Sequence, residues 1–219
     1  CGWCPRVSEA VRLLKQETSD AIVVAIHNGD PMQFSEEGAI RQAFNVTGFP
    51  TALINRQERW ASPQPSNVNQ VTGKMSGKSY ASIAMESRVE GDGLYLNVKV
   101  KMGYSYDSMK LAVYMLEDGL IYDQRNFTSY YAGADPIIDF VHDDVLRRSL
   151  TNVFGDNIPS DEVGHGKTYS RDFEYAIPGM YNKSKIKLVA FVTTGEDRSI
   201  VNVRQSKIGE TQGFQPLDE

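Results

Sequence analysis

Little in this chain supports the commonest kinds of chemistry. Its 219 residues hold two cysteines and three histidines. No apolar run reaches the roughly 18 residues that a membrane-crossing helix needs, and the longest, residues 21–26, is only strand-length. His27, His142 and His165 have no second ligand at zinc spacing. The carboxylates near or after His142 (Asp143, Asp144, Asp156, Asp161) match no calcium-loop pattern. No Gly-x-Ser-x-Gly turn exists to place a serine nucleophile. Positive charge is also scarce. The net charge is −5, and residues 1–79 carry 8 Lys and Arg against 7 Asp and Glu, so the acidity falls on the remainder. Neither part shows the basic stripe that a phosphate backbone requires, which argues against nucleic-acid partners. No motif implies a metal or a cofactor.

What the chain does have is Cys1-Gly2-Trp3-Cys4, answered by Gly48-Phe49-Pro50-Thr51. Two intervening residues bring both sulfurs within bonding reach at the start of a helix, where unpaired N–H groups and the helix dipole stabilise a thiolate. As the sole cysteines, they pair with each other or with nothing internal. Three readings stay open. The pair is a thiol–disulfide exchange site, with Cys1 attacking and Cys4 resolving. It is a vestigial disulfide on a scaffold used for binding. Or Cys1 carries the acyl groups of a lipoprotein, which would remove it from the pair.

The rest of the first third has helical and strand patterns in alternation. Pro5 suits a first helical turn, and Val7, Ala10, Val11, Leu13 and Leu14 keep helical spacing to about Glu17. Residues 21–26 form a continuous apolar run suited to a strand covered on both faces. Ser35 is placed to cap a second helix reaching about Phe44, and a strand is expected over 51–55. Pro63 and Pro65 mark a connector, with Trp60 packing nearby between the two halves, and a last helix over 67–78 is weakened by Gly73 and Gly77. Helix, strand, helix, Pro, strand is the order of a thioredoxin-like unit without its first strand. In such a unit a cis Pro50 sits against the disulfide and presents the Phe49 backbone to an extended substrate. A central strand cannot be missing without exposing unpaired backbone, so residues upstream of Cys1 are expected.

From Tyr80 the period changes to two. Alternation runs over 94–102, 111–116, 169–177, 185–193 and 200–205, with turns at 91–93, 117–119 and 194–197 and one helical segment at 143–150. Short alternating strands over such a length describe an antiparallel sandwich, immunoglobulin-like in size. The fold expected is therefore α+β in two domains, 1–79 thioredoxin-like and 80–219 immunoglobulin-like. Tyr104, Tyr106, Tyr130 and Tyr131 fall near predicted loops and, with Trp3 and Phe49, are candidate contact anchors. The three Asn-x-Ser/Thr matches at Asn45, Asn126 and Asn182 read as chance.

Five pieces together resemble the outer membrane protein 28-related family of Gram-negative envelope proteins. They are Cys1-Gly2-Trp3-Cys4-Pro5-Arg6, Val24-Ala25-Ile26-His27, Gly48-Phe49-Pro50-Thr51 with Asn55-Arg56, Leu116-Glu117-Asp118, and His142-Asp143-Asp144-Val145-Leu146-Arg147. The resemblance implies an exported, outer-membrane-associated protein held by an upstream lipid anchor. It implies protein partners at the cell surface or in the periplasm and roles in adhesion or assembly, but it assigns no reaction. The function expected is that of an interaction or assembly module, with a Cys1/Cys4 oxidoreductase as the alternative.

Overall fold

The computed structural model describes residues 1–75, 79–194 and 198–217. Helix α1, Pro5–Glu17, starts on a proline whose missing N–H is not needed there, and it turns Ala10 and Leu14 inward one turn apart. Helix α2, Glu37–Ala43, follows Glu36, so Ser35 is not its cap. Strands β1, Leu53–Ile54, and β2, Glu58–Arg59, form a minimal hairpin whose turn places Asn55 and Arg56 at positive φ. A 3-10 turn at Gln64–Asn67 leads into α3, Val68–Thr72, which stops at Gly73. The expected 67–78 helix is thus helical over 68–72 and a turn over 73–75, and residues 76–78 lie outside the described residues. Ala10, Leu14, Ile54, Trp60 and Val68 share one small core. Trp60 belongs to that core, and its indole Nε1 donates to the Asn67 carbonyl at 2.7 Å.

The expected strand over 21–26 forms no ladder. Its apolar residues are only partly buried, and Ile26 is 38% exposed. One parallel bridge joins Ala25 to Val145, with Ala25 N–H donating to Asp144 O at 2.8 Å and Leu146 N–H to Ala25 O at 2.9 Å. A β-favouring composition makes a strand only where neighbours supply hydrogen bonds, and among the described residues a single bridge is what this run receives.

The chain then becomes antiparallel β-structure. Strands β3 (Ala81–Glu90), β4 (Gly93–Met102) and β5 (Met109–Glu117) are followed by the hairpin β6 (Leu120–Gln124) and β7 (Ile137–His142). After it come β8 (Val145–Ser149), β9 (Asp156–Asn157), β10 (Thr168–Ala176), β11 (Ile186–Thr194), β12 (Ser199–Lys207) and β13 (Thr211–Gln212). One sheet runs β10-β4-β3-β13, the other β12-β11-β5-β8, with β9 also on β5. The period-two pattern puts Ile83, Met85, Leu96 and Val98 of the first sheet into one core with Leu111, Val113, Met115, Leu188 and Ala190 of the second. The segment expected to be helical, 143–150, is instead strand β8. Its Leu146 pairs with Leu116 and its Ser149 with Tyr114 across a bulge, so burial beside β5 overrides a helical local pattern. Residues 195–197, part of an expected turn, lie outside the described residues.

Compactness divides the chain into two units that do not follow its linear order. One comprises Cys1–Val23, Ser35–Gly77 and Gly119–Asp143, the other Val24–Phe34, Lys78–Asp118 and Asp144–Glu219. The β6–β7 hairpin, which lies in sequence between strands of the second unit, therefore belongs to the first. In the second unit Lys187 of β11 donates to the carboxylates of Asp118, at 2.7 Å, and Asp144. Asp144 N–H in turn donates to Asp118 Oδ1 at 2.7 Å. Beside them Glu117 faces Arg147 at 3.3 Å and accepts the Asn182 N–H at 2.7 Å, while the guanidinium lies over the Tyr181 ring.

Candidate functional site

The site begins with the loop that precedes α1. Cys1 and Cys4 are joined by a disulfide with S–S 2.05 Å and Cα–Cα 5.4 Å. Cys4 is the N-cap residue, and its carbonyl accepts from Val7 N–H at 2.9 Å and Ser8 N–H at 3.2 Å, so the second sulfur is carried on the helix start. No acidic residue occupies the first turn. The next carboxylate, Glu9, is hydrogen-bonded by Arg12, which holds its pKa below the usual glutamate value. The positive end of the helix dipole near the cysteines is therefore not opposed by a free carboxylate from the helix itself.

Trp3, at the crest of the loop, shares an open groove of about 480 Å³ with Arg6, Thr47, Gly48, Phe49, Pro50 and Thr51. The Phe49–Pro50 peptide is cis. Trp3 is 51% exposed and Phe49 44%, so two large rings face solvent within one small concavity. The 47–51 wall is tied down from behind. Thr51 Oγ1 donates to Gly48 O at 2.7 Å, and Arg59 reaches both Thr51 Oγ1 at 3.5 Å and Asn45 O at 2.8 Å. Arg6 is fixed through Nε to Gln64 Oε1 at 2.8 Å. Among the described residues nothing hydrogen-bonds the Phe49 backbone, which leaves an N–H and a carbonyl available to an extended ligand.

The other side of the disulfide loop is held by the tip of the β6–β7 hairpin. Gln124 Nε2 donates to Cys1 O at 2.8 Å and Phe127 N–H to Gly2 O at 2.7 Å. The Phe127 ring lies where a side chain on residue 2 would begin, since a Cβ there would meet it at 2.3 Å. Its edge meets Trp3 at a centroid distance of 6.0 Å. Asn126, 3% exposed, organises the tip. The Asn126 carbonyl oxygen accepts Thr128 N–H at 2.9 Å and Thr128 Oγ1–H at 2.6 Å. Its amide donates to Tyr130 O at 2.8 Å, and its N–H bonds Asp135 at 2.9 Å. The Asn126-Phe127-Thr128 match is thus a local turn with a structural use.

Of the residues singled out from the sequence, the structure gathers Cys1, Cys4, Trp3, Phe49 and Pro50 into the first unit. Tyr130 and Tyr131 lie on the hairpin tip there. Tyr131 stacks edge-on against Phe140 at 5.3 Å, and its phenol is shifted upward by burial and by the Glu9 charge. Tyr104 and Tyr106 belong to the second unit, where they form an aromatic row with Tyr80 at 5.8 and 6.3 Å. Tyr106 packs against the sheet core there, and burial raises its phenol pKa. Sequence reasoning missed Phe127 and Gln124. The available signal was the Asn-x-Thr triplet, which builds a tight turn as readily as it marks a glycosylation acceptor.

The family described as outer membrane protein Omp28 matches residues 37–212. Among solved structures, HBP35 of Porphyromonas gingivalis is similar at 18% identity and a TM-score of 0.74, with 95% of this chain and 71% of that one covered. A protein of Agrobacterium tumefaciens is similar at 11% identity and a TM-score of 0.57, over 99% and 92% of the two chains. A domain of the outer membrane lipoprotein Omp28 from Porphyromonas gingivalis matches at 18% identity and a TM-score of 0.40, over 60% of this chain and 89% of the domain. At such identities the first two likenesses are of fold alone. No curated protein matches the chain.

Proposed function

Because this chain belongs to the Omp28 family of outer membrane proteins and is an outer-membrane-associated component of the cell envelope, we propose that it serves there as a protein-interaction module. It uses a thioredoxin-like scaffold beside an immunoglobulin-like sandwich, and an upstream lipid anchor holds it to the membrane. The observation that carries the reading is the groove in which half-exposed Trp3 and Phe49 flank an unpaired Phe49 backbone. That combination suits an extended polypeptide, which adds backbone hydrogen bonds at one wall and seats apolar side chains on the rings. Arg6 supplies the groove's fixed positive charge.

The Cys1–Cys4 disulfide beside the groove favours a second reading, thiol–disulfide exchange. In that reaction the reduced Cys1 thiolate attacks a substrate disulfide, forming a mixed disulfide and expelling one substrate thiolate. Cys4 then attacks Cys1 Sγ, closing the Cys1–Cys4 bond and releasing the second substrate thiol. A dithiol donor must return two electrons before the next cycle.

The two readings separate in an insulin-reduction assay with dithiothreitol as donor. The expected result is precipitation no faster than with dithiothreitol alone. Robust turnover would overturn the interaction module as the primary role and install the second reading. In parallel, dye-labelled, reduced and carboxymethylated α-lactalbumin, an unfolded chain without thiols, is expected to bind, and Phe49→Asp to abolish that binding.

A further inference from the structure

We propose that Phe127, delivered from the hairpin tip between β6 and β7, is a positioning residue of the groove: it fixes the Cys1–Gly2–Trp3 backbone and holds Trp3 as one wall. The inference rests on the interaction reading above. It adds a distant segment of the chain to the site and extends the surface that a bound polypeptide meets.

Four contacts converge on three residues of the loop. The carbonyls of Cys1 and Gly2 are each taken by the hairpin, at 2.8 and 2.7 Å, so the loop backbone has a partner outside its own turn. The Phe127 ring occupies the space above Gly2, which only a residue without Cβ leaves open. Its edge on Trp3 restricts an indole that otherwise faces solvent. Phe127 is itself 52% exposed, so it does not bury the loop but extends the Trp3 wall with a second ring. Trp3, Phe127 and Phe49 are thus three exposed rings at one site, and Arg125 lies 5.5 Å from the Phe127 centroid, tethered to Asp135 at 3.2 Å. Apolar groups of an unfolded segment fit such a rim. The hydrogen bonds around Asn126 form the turn before any ligand arrives, so seating Phe127 adds little ordering cost at the moment of binding.

The test uses the whole chain and the labelled, carboxymethylated α-lactalbumin probe, read by fluorescence anisotropy. Phe127→Ala is expected to weaken binding about tenfold with the thermal midpoint almost unchanged. Phe127→Tyr restores wild-type affinity, since the ring and its edge contact remain. Gly2→Ala evicts the ring and gives the same loss as Phe127→Ala, and the double variant loses no more than either alone. Unchanged binding by Phe127→Ala, while Phe49→Asp loses binding, would overturn the positioning role and leave the groove standing. A loss that Phe127→Tyr fails to rescue, or additive losses in the double variant, would overturn it as well. A wild-type chain that does not bind the probe would remove the groove reading, and this inference with it.

Discussion

Lys187→Met is expected to destabilise the second unit by about 3–5 kcal/mol, the cost of leaving a buried charge without its partner. The Lys187 side chain is about one-tenth exposed and that of Asp144 still less, so water cannot replace the ammonium when it is removed. Asp118 is more open and rehydrates more easily, which makes Asp144 the group that suffers. Its backbone matters too. Asp144 sits at positive φ just before β8 and its carbonyl receives the Ala25 N–H, so disturbing it disturbs two chain segments of the same unit. Denaturant titration followed by near-ultraviolet circular dichroism checks the value. A Lys187→Met, Asp144→Leu double variant should recover much of the loss, because the uncompensated carboxylate is gone. An unchanged midpoint in the single variant would mean that the cluster is solvated in solution. The pH dependence has a definite sign. Burial pulls the Lys187 pKa down, its hydrogen bonds to the Asp118 and Asp144 carboxylates push it up, and the net shift is upward. Stability from a raised lysine is complete below the ordinary value of about 10.4 and is lost as pH climbs through the folded value. The wild-type chain should therefore weaken in strong alkali by more than the double variant does.

Trp60→Ala is the second large effect. The core of the first unit is small, and removing its one indole leaves a cavity among Ala10, Leu14, Ile54 and Val68 that costs about 3–5 kcal/mol. The loss includes the bond from Nε1 to Asn67 O, whose carbonyl then needs water. The groove should feel it. The Trp60 carbonyl accepts from Gln64 Nε2 at 3.3 Å, and Gln64 Oε1 holds Arg6, a groove residue. Limited proteolysis is expected to cut within residues 35–75 of Trp60→Ala at a concentration that spares the wild type, with α-lactalbumin binding lost in parallel. Trp60→Phe keeps most of the apolar volume and should fall between the two. Equal resistance of Trp60→Ala and wild type would show that the first unit does not depend on this core.

The sequence made legible what rests on local rules. Helix α1 was readable from Pro5 and the Ala10/Leu14 spacing, and β4, β5, β10, β11 and β12 from alternation, with glycine turns at 91–93 before β4 and 117–119 after β5. The antiparallel, β-rich character follows from those strands. Failures came where non-local pairing decides. Residues 21–26 have the composition of a buried strand but gain one bridge, and residues 143–150 look helical until β5 recruits them as β8. The hairpin β6–β7 has strand composition, yet nothing local says which unit it joins. The same holds at the site. Cys1, Cys4, Trp3, Phe49 and Pro50 announce themselves by type and spacing, whereas Phe127 is one phenylalanine among nine until the fold sets it on Gly2.

The interleaved path of the chain also bears on how it is made. The first unit takes its last segment, 119–143, after the polypeptide has already run through β3, β4 and β5. A nascent chain emerging amino end first therefore carries Cys1 and Cys4 well before Gln124 and Phe127 exist to tether their loop. During that interval the loop lacks those two partners, and a fragment ending near residue 79 would lack them permanently.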